Sequence, residues 1–103
     1  MKGMIYMISH VVCFKMKPYA QGKQMKENLA ILEDKLNNLK ANVSLIKAMK
    51  FELTDKSEYQ AVAVMIFDNQ ADLDEYEENP IHMKVKDYIA EVCIEMEVIN
   101  SEI

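Results

Sequence analysis

The 103-residue sequence has no long apolar run, and this absence limits where the protein can reside. Its most apolar stretch, residues 4–14, contains Ser9 and His10 and is shorter than the roughly 20 residues that a transmembrane helix requires. The first residues continue into an alternating strand pattern and lack a small-residue cleavage site. We therefore expect no membrane partner and no signal peptide, and we place the chain in the cytoplasm.

Cysteine and histidine are scarce, with two residues of each type. Cys13 and Cys93 lie 80 positions apart without a CxxC motif, which favours buried thiols over a disulfide. No set of ligand residues clusters around His10 or His82, so no metal site is predicted. Serine-hydrolase, phosphate-loop and dinucleotide signatures are missing as well, and no cofactor is expected.

Positive charge is in deficit, since twelve basic residues face seventeen acidic ones and the net charge is −5. A negative protein repels phosphate backbones, so we do not expect nucleic acid as a partner. The charges are interspersed along the chain, which is typical of a solvated surface.

The hydrophobic pattern predicts the order strand, helix, strand, strand, helix, strand within one domain, residues 1–103. The four strands are expected at residues 4–16, 44–53, 59–67 and 92–99. The first and third are apolar on both alternating faces, as in a central strand. Lys47, Lys50 and Glu52 interrupt the second, as suits an edge strand. In the last strand, one alternating set is Val92, Ile94, Met96 and Val98.

Leucines at steps of three and four residues predict an amphipathic helix over residues 23–41, which Asn42 ends in a left-handed conformation. Asn69 caps a short helix that runs to residue 78. Asn79 and Pro80 are a helix cap followed by a first helical residue, so a further helix continues to residue 91.

This order folds most simply as two split βαβ units, an α+β ferredoxin-like βαββαβ domain with a four-stranded antiparallel sheet. Both helical segments then cover the same sheet face. The other face is left bare although the central strands place apolar side chains on it, which is unusual for a soluble monomer. We therefore expect a homodimer through this face, which carries Val11, Cys13, Val62, Val64 and Ile66.

Three segments, SHVVCFK (9–15), YQAVAVMIFD (59–68) and YEENPIH (76–82), together resemble the stress-responsive dimeric α/β-barrel family. In that family the first strand commonly reads His, three hydrophobic residues, Phe, Lys, and a later loop reads Tyr-x-x-His-Pro-x-His. Here Asn79 replaces the first histidine of the loop, while Tyr76, Pro80 and His82 remain. The resemblance implies a protomer whose sheet packs face to face with that of its twin to form a barrel.

In the cyclase branch of that family, a histidine at the position of His82 acts as general base and a tyrosine at that of Tyr76 supports it. His10 matches a position that lines the cavity, whereas Ala61 stands where this branch has a further histidine. The residues alone also favour His82 as a neutral base, because the positive end of a helix dipole disfavours imidazolium. A small apolar ligand is expected against Val12, Phe14, Ala61, Ala63, Val85 and Ile89.

Three functions remain open at this point. The first is a cofactor-independent lyase, cyclase or isomerase that acts on a small apolar carbonyl compound, with His82, Tyr76 and His10 as its catalytic residues. The second is a non-catalytic dimer that binds a small ligand or serves as a stress-related structural component. The third is a cofactor-free monooxygenase. The competing interpretation makes His10 a hydrogen-bonded core residue and His82 a capping or surface residue.

Overall fold

A computed structural model describes residues 6–55 and 57–103 of the chain. The strands are β1 (Ile8–Met16), β2 (Tyr19–Ala20), β3 (Lys23–Gln24), β4 (Ala48–Leu53), β5 (Ala61–Phe67) and β6 (Cys93–Glu102). The helices are α1 (Met25–Asn42), α2 (Gln70–Glu77) and α3 (Pro80–Val92). The main sheet has the order β4-β5-β1-β6 and is antiparallel throughout, which confirms the predicted α+β ferredoxin-like fold. Within the described ranges, every helix is too short or too polar to span a membrane.

Strand β1 is central, because β5 and β6 pair with its two edges. Its side chains alternate between burial under the helices and partial exposure on the opposite face. Strand β5 alternates in the same way. The buried set forms the sheet side of the core and comprises Ile8, His10, Val12, Phe14, Met16, Ala61, Ala63, Met65 and Phe67.

The strands begin later than their apolar patterns predict. Strand β1 starts at Ile8 instead of residue 4; Met4 and Ile5 lie outside the described residues. Strand β4 starts at Ala48 instead of residue 44, because Val43 and Ile46 pack into the core through a turn closed by a 3.2 Å backbone hydrogen bond. Strand β5 starts at Ala61 instead of residue 59.

Helix α1 begins two residues later than predicted, since β2 and β3 pair as a small hairpin in front of it. Gln21 and Gly22, both with positive φ, form the turn of this hairpin. Asn42 is the last helical residue instead of a left-handed stop. The helix ends there because the extended Val43 inserts into the core. Helices α2 and α3 end within one residue of the prediction.

Strand β6 departs most from its predicted alternation. Val92 is the fully buried last residue of α3, and the strand continues to Glu102. The pairing with β1 shifts between Lys15 and Met16, which is the sign of a β-bulge. The shift returns Cys93 to the core, where its Sγ lies 3.5 Å from Sδ of Met16. The simple alternation expected from Val92 onward is therefore wrong.

Asn28 is a buried polar residue that joins three elements, with 1% of its surface exposed. Its Nδ2 donates a 2.9 Å hydrogen bond to the Ala20 carbonyl oxygen of the hairpin. Its Oδ1 accepts a 2.9 Å hydrogen bond from the Tyr88 hydroxyl of α3. The amide thus holds the hairpin and α3 against α1.

Replacing Asn28 by Ala should lower the free energy of unfolding by about 1–3 kcal/mol, because the buried Ala20 carbonyl loses its donor and the Tyr88 hydroxyl keeps only its 3.3 Å hydrogen bond to the Asn28 backbone carbonyl. Urea unfolding followed by circular dichroism measures this change. Asn37→Ala, at an exposed position of the same helix, is the control and should stay within about 0.5 kcal/mol of the wild type. Equal effects of the two substitutions would contradict the assigned role.

Candidate functional site

A cavity of about 160 Å³ lies between the helix-covered sheet face and helices α1 and α3. Of the six residues predicted to bind a ligand, five line it: Val12, Phe14, Ala63, Val85 and Ile89. Ala61 does not line it and is fully buried at the start of β5. Leu36, Met65, Met96 and Val98 complete the apolar wall. The polar lining consists of His10, Tyr76, Glu77, His82 and Lys86.

His10 reaches the cavity from the first half of β1, and 6% of its surface is exposed. Its Nδ1 lies 2.6 Å from Oδ1 of Asn100, the residue opposite it on β6. An amide oxygen only accepts hydrogen bonds, so Nδ1 carries the hydrogen. In the neutral ring, Nε2 is then the acceptor. His10 is therefore a core residue with a hydrogen-bond partner and also a cavity wall.

His82 is placed by the first turn of α3. Asn79 caps this helix, where its Oδ1 accepts the Ile81 N–H at 2.8 Å, and Pro80 is the first helical residue. His82 Nδ1 lies 3.1 Å from the backbone carbonyl oxygen of Glu77. A carbonyl oxygen only accepts, so Nδ1–H donates and the neutral ring keeps a free lone pair on Nε2.

The surroundings of His82 favour its neutral form. Burial lowers the pKa of His82 from the ordinary value of 6.5, and it is the largest influence on that pKa. The positive charge of Lys86 acts in the same direction, whereas the carbonyl and carboxylate of Glu77 oppose it. The ring is thus an uncharged base at neutral pH, as the first turn of a helix also favours.

Tyr76 lies between the two histidines, with its ring edge-on to that of His10 and tilted by 43° from that of His82. Its ring centroid lies 4.4 Å from that of His82 and 6.1 Å from that of His10. Burial, aided by the charge of Glu77, raises the pKa of Tyr76 above its usual range, so its phenol stays protonated. Within residues 6–55 and 57–103 the Tyr76 hydroxyl has no hydrogen-bond partner. Every fully buried side-chain polar atom in these ranges is paired, so the Tyr76 hydroxyl keeps some exposed surface in the cavity. The hydroxyl is therefore free to donate to a bound molecule.

Three polar residues of this region were not predicted from the sequence as part of the site. Asn100 lies just beyond the predicted end of the last strand, and a longer strand would have placed it opposite His10. Lys86 follows His82 by four residues, the spacing that puts two side chains on one helix face. Glu77 had no distinguishing signal. In the part of the chain that the structure describes, His, Cys, Asp and Glu form no group of three that could bind a metal.

One protein family accounts for nearly the whole chain. Residues 8–103 match the family described as Stress responsive A/B Barrel Domain. The chain belongs to this family. Among functionally curated proteins, none matches the A/B barrel chain.

Solved structures similar to this A/B barrel protein share its fold. A dimeric ferredoxin-like protein of unknown function from Bacteroides fragilis is 22% identical, with a TM-score of 0.77 over 94% of this chain and 96% of its own. A dimeric ferredoxin-like protein of unknown function from Thermobifida fusca is 16% identical, with a TM-score of 0.81 over 97% and 93%. The hydroxynitrile lyase of Passiflora edulis is 14% identical, with a TM-score of 0.81 over 97% and 95%.

The charges beside His82 predict how its pKa responds to substitution. Glu77→Gln should lower the pKa further, because a carboxylate that favours imidazolium is lost. Lys86→Gln should raise it, because a repelling charge is lost. Titration of the His82 ring followed by NMR should give a wild-type pKa below 6.5 that lies between those of the two variants. If both substitutions moved the pKa of His82 in the same direction, the opposite effects assigned to Glu77 and Lys86 would be wrong.

The same lowered pKa makes the fold sensitive to acid. A depressed pKa in the folded state means that the unfolded chain binds the proton more readily. The contribution of neutral His82 to stability is therefore present above pH 6.5 and is lost as the pH falls through the folded pKa.

Proposed function

We propose that this protein is a cofactor-independent lyase, cyclase or isomerase that removes a proton next to the carbonyl group of a small, mostly apolar substrate. His82 acts as the general base, its neighbour Tyr76 donates a hydrogen bond to the substrate, and His10 acts as an orienting group. The observation that supports this best is the state of His82. Its Nδ1–H donates a hydrogen bond to the Glu77 carbonyl oxygen, and burial keeps the ring neutral. Nε2 of His82 is therefore the nitrogen available to accept a proton.

The proposed step needs two groups in opposite protonation states. Nε2 of His82 takes the proton as the C–H bond breaks, and the electron pair moves into an enolate. The protonated phenol of Tyr76 donates a hydrogen bond to the enolate oxygen. In an isomerisation, the imidazolium then returns the proton to another carbon of the enolate. In a cyclisation it protonates the oxygen anion that forms when the enolate carbon attacks a second carbonyl group, and in a lyase reaction it protonates the group that departs. A low pKa at His82 and a high pKa at Tyr76 suit these roles.

The cavity sets the size of the reacting part of the substrate. A dry apolar cavity of about 150 Å³ holds one benzene molecule, and the present cavity of about 160 Å³ is similar. One ring or a short branched chain therefore fits beside Val12, Ala63 and Val85. We assign to Nε2 of His10 the acceptance of a hydrogen bond from a substrate hydroxyl, since Nδ1 is used by Asn100. The hydroxynitrile lyase among the similar structures is consistent with lyase chemistry on this fold.

Proton abstraction can be tested with a simple ketone. In D₂O, the protein should accelerate exchange of the α-protons of cyclohexanone, followed by proton NMR. His82→Gln should slow this exchange about 100-fold or more, the usual contribution of a general base. Tyr76→Phe should slow it to a smaller extent. Met83→Gln, at the exposed neighbouring position, is the control and should leave the rate unchanged.

The same assay separates the competing functions. Binding of cyclohexanone without any acceleration of exchange would contradict the enzyme proposal and favour the second candidate, a ligand-binding dimer, which the apolar cavity wall also suits. Oxygen uptake with an aromatic substrate would instead favour the cofactor-free monooxygenase.

We also propose that two copies associate through the sheet face without helices. Val11, Cys13, Val62, Val64 and Ile66 form a partly exposed apolar surface there. Burying this surface against a twin removes it from water, which favours association. Both ferredoxin-like relatives named above are dimeric.

Light scattering should give the wild type a mass twice the 11.9 kDa of the chain. Val64→Glu should dissociate the dimer, because the two-fold axis brings two buried charges into one interface. Tyr19→Glu is the control, since this exposed side chain lies on β2, outside the main sheet. A monomeric wild type, or a Val64→Glu protein that stays dimeric, would contradict the proposed interface.

A further inference from the structure

Asn100 holds His10 without lining the cavity itself. The two residues are directly opposite each other in the antiparallel pair of β1 and β6, so their side chains lie on the same sheet face. Oδ1 of Asn100 is 2.6 Å from Nδ1 of His10. The pairing continues beyond this point, since the Ile103 N–H donates a 2.9 Å hydrogen bond to the Met7 carbonyl oxygen. Asn100 is therefore fixed within a paired strand, and it acts on a bound molecule through His10.

The ring of His10 is held in one orientation. Phe67 and Tyr76 pack edge-on against it, with ring centroids 6.2 Å and 6.1 Å from its own. The hydrogen bond to Asn100 keeps Nδ1 on the side of β6. Nδ1 is bonded to the carbon through which the ring joins the rest of the side chain, whereas Nε2 lies on the far side of the ring. Nε2 therefore projects further from β1 than Nδ1 does.

Nε2 of His10 is the unpaired nitrogen of this ring. In the part of the chain that the structure describes, the hydrogen bond of His10 is made by Nδ1. Every fully buried side-chain polar atom of that part is paired, so Nε2 keeps accessible surface, and the space that His10 lines is the cavity. A buried acceptor is costly to leave without a donor, so a molecule that offers a hydroxyl is favoured over one that does not.

An amide suits the position opposite His10 because it carries no charge. A carboxylate there would favour the imidazolium form, in which both ring nitrogens donate. Burial is the main reason why the pKa of His82 is lowered, and the charge that His10 can carry acts in the same direction. A neutral His10 therefore leaves His82 a stronger base than a charged one would.

We propose that Asn100 is a positioning residue that keeps His10 a hydrogen-bond acceptor, and that the site thereby selects carbonyl compounds that also carry a hydroxyl group. The hydroxyl donates to Nε2 of His10, while the carbonyl oxygen accepts from the Tyr76 hydroxyl. This inference rests on the proposed function for the place of the carbonyl group. The position of the hydrogen on the His10 ring is a property of the free protein and can be measured without a substrate.

The nitrogen chemical shifts of the His10 ring test the first part of the proposal. Long-range proton–nitrogen NMR at about pH 8, where a histidine is ordinarily neutral, shows which nitrogen carries the hydrogen. The wild type should have the Nδ1–H form. Asn100→Leu removes the acceptor and should shift the ring measurably towards the Nε2–H form. Asn37→Leu, the same change at an exposed position of α1, is the control and should leave the ring as in the wild type.

A wild-type ring in the Nε2–H form would overturn the role of Asn100. So would an Asn100→Leu protein whose His10 shifts equal those of the wild type.

Cyclohexanol and cyclohexanone test the selection, because only the alcohol can donate a hydrogen bond. Asn100→Leu should weaken cyclohexanol binding about threefold to tenfold, the effect of one hydrogen bond. Cyclohexanone has no donor to lose and should weaken by no more than about twofold. Dissociation constants come from NMR titration, and Asn37→Leu should bind both molecules as the wild type does. Equal weakening of both molecules in Asn100→Leu would overturn the selection.

The wild type decides if Asn100→Leu does not fold. Cyclohexanol must then shift the Nε2 signal of His10 in the direction of hydrogen-bond acceptance, and cyclohexanone must not. The same shift with both molecules, or with neither, would overturn the proposal.

The role of Asn100 and the proposed reaction fail separately in these measurements. Selection of the alcohol through His10 without α-proton exchange of cyclohexanone would support the role of Asn100 and contradict the reaction. Exchange by a protein whose His10 is in the Nε2–H form would support the reaction and contradict the role of Asn100.

Discussion

Strand β1 is hydrogen-bonded along both edges, and this constraint determines how the rest of the protein is arranged. A strand held by β5 and β6 cannot rotate, so its two-residue period sends successive side chains to opposite faces. His10, Val12 and Phe14 point towards the helices and form one wall of the cavity. Val11 and Cys13 point to the other face, where we propose that the second copy packs. A slip of one residue would exchange the two faces.

The polar end of the cavity is assembled from four elements of the fold, of which β1 is distant in the chain from the other three. Strand β1 provides His10, β6 provides Asn100 to hold it, α2 provides Tyr76 and α3 provides His82. A backbone carbonyl sets the position of the hydrogen on the His82 ring, so this feature does not depend on a neighbouring side chain. Burial acts on the histidine and the tyrosine in opposite senses, because it disfavours a charge on either ring.

Much of the fold was predictable because central strands carry apolar residues on both faces, a pattern that is independent of their partners. The ends of elements were less predictable. Val43 and Ile46 are apolar and extend the pattern of β4, yet they fill the core next to α1. The bulge beside Met16 reversed the expected alternation at the start of β6. The prediction ended β6 at residue 99 and so omitted Asn100, because that polar residue adds no hydrophobic signal.

The sequence by itself determined the order of the elements, the two faces of β1 and the helix cap at Asn79 and Pro80, since each depends on local spacing and backbone preference. Tertiary structure decided which side chains meet. The contact of Asn100 with His10, and the position of Met96 in the cavity wall, depend on the register of strands far apart in the chain. The pKa of His82 depends on burial, which exists only once these elements have packed together.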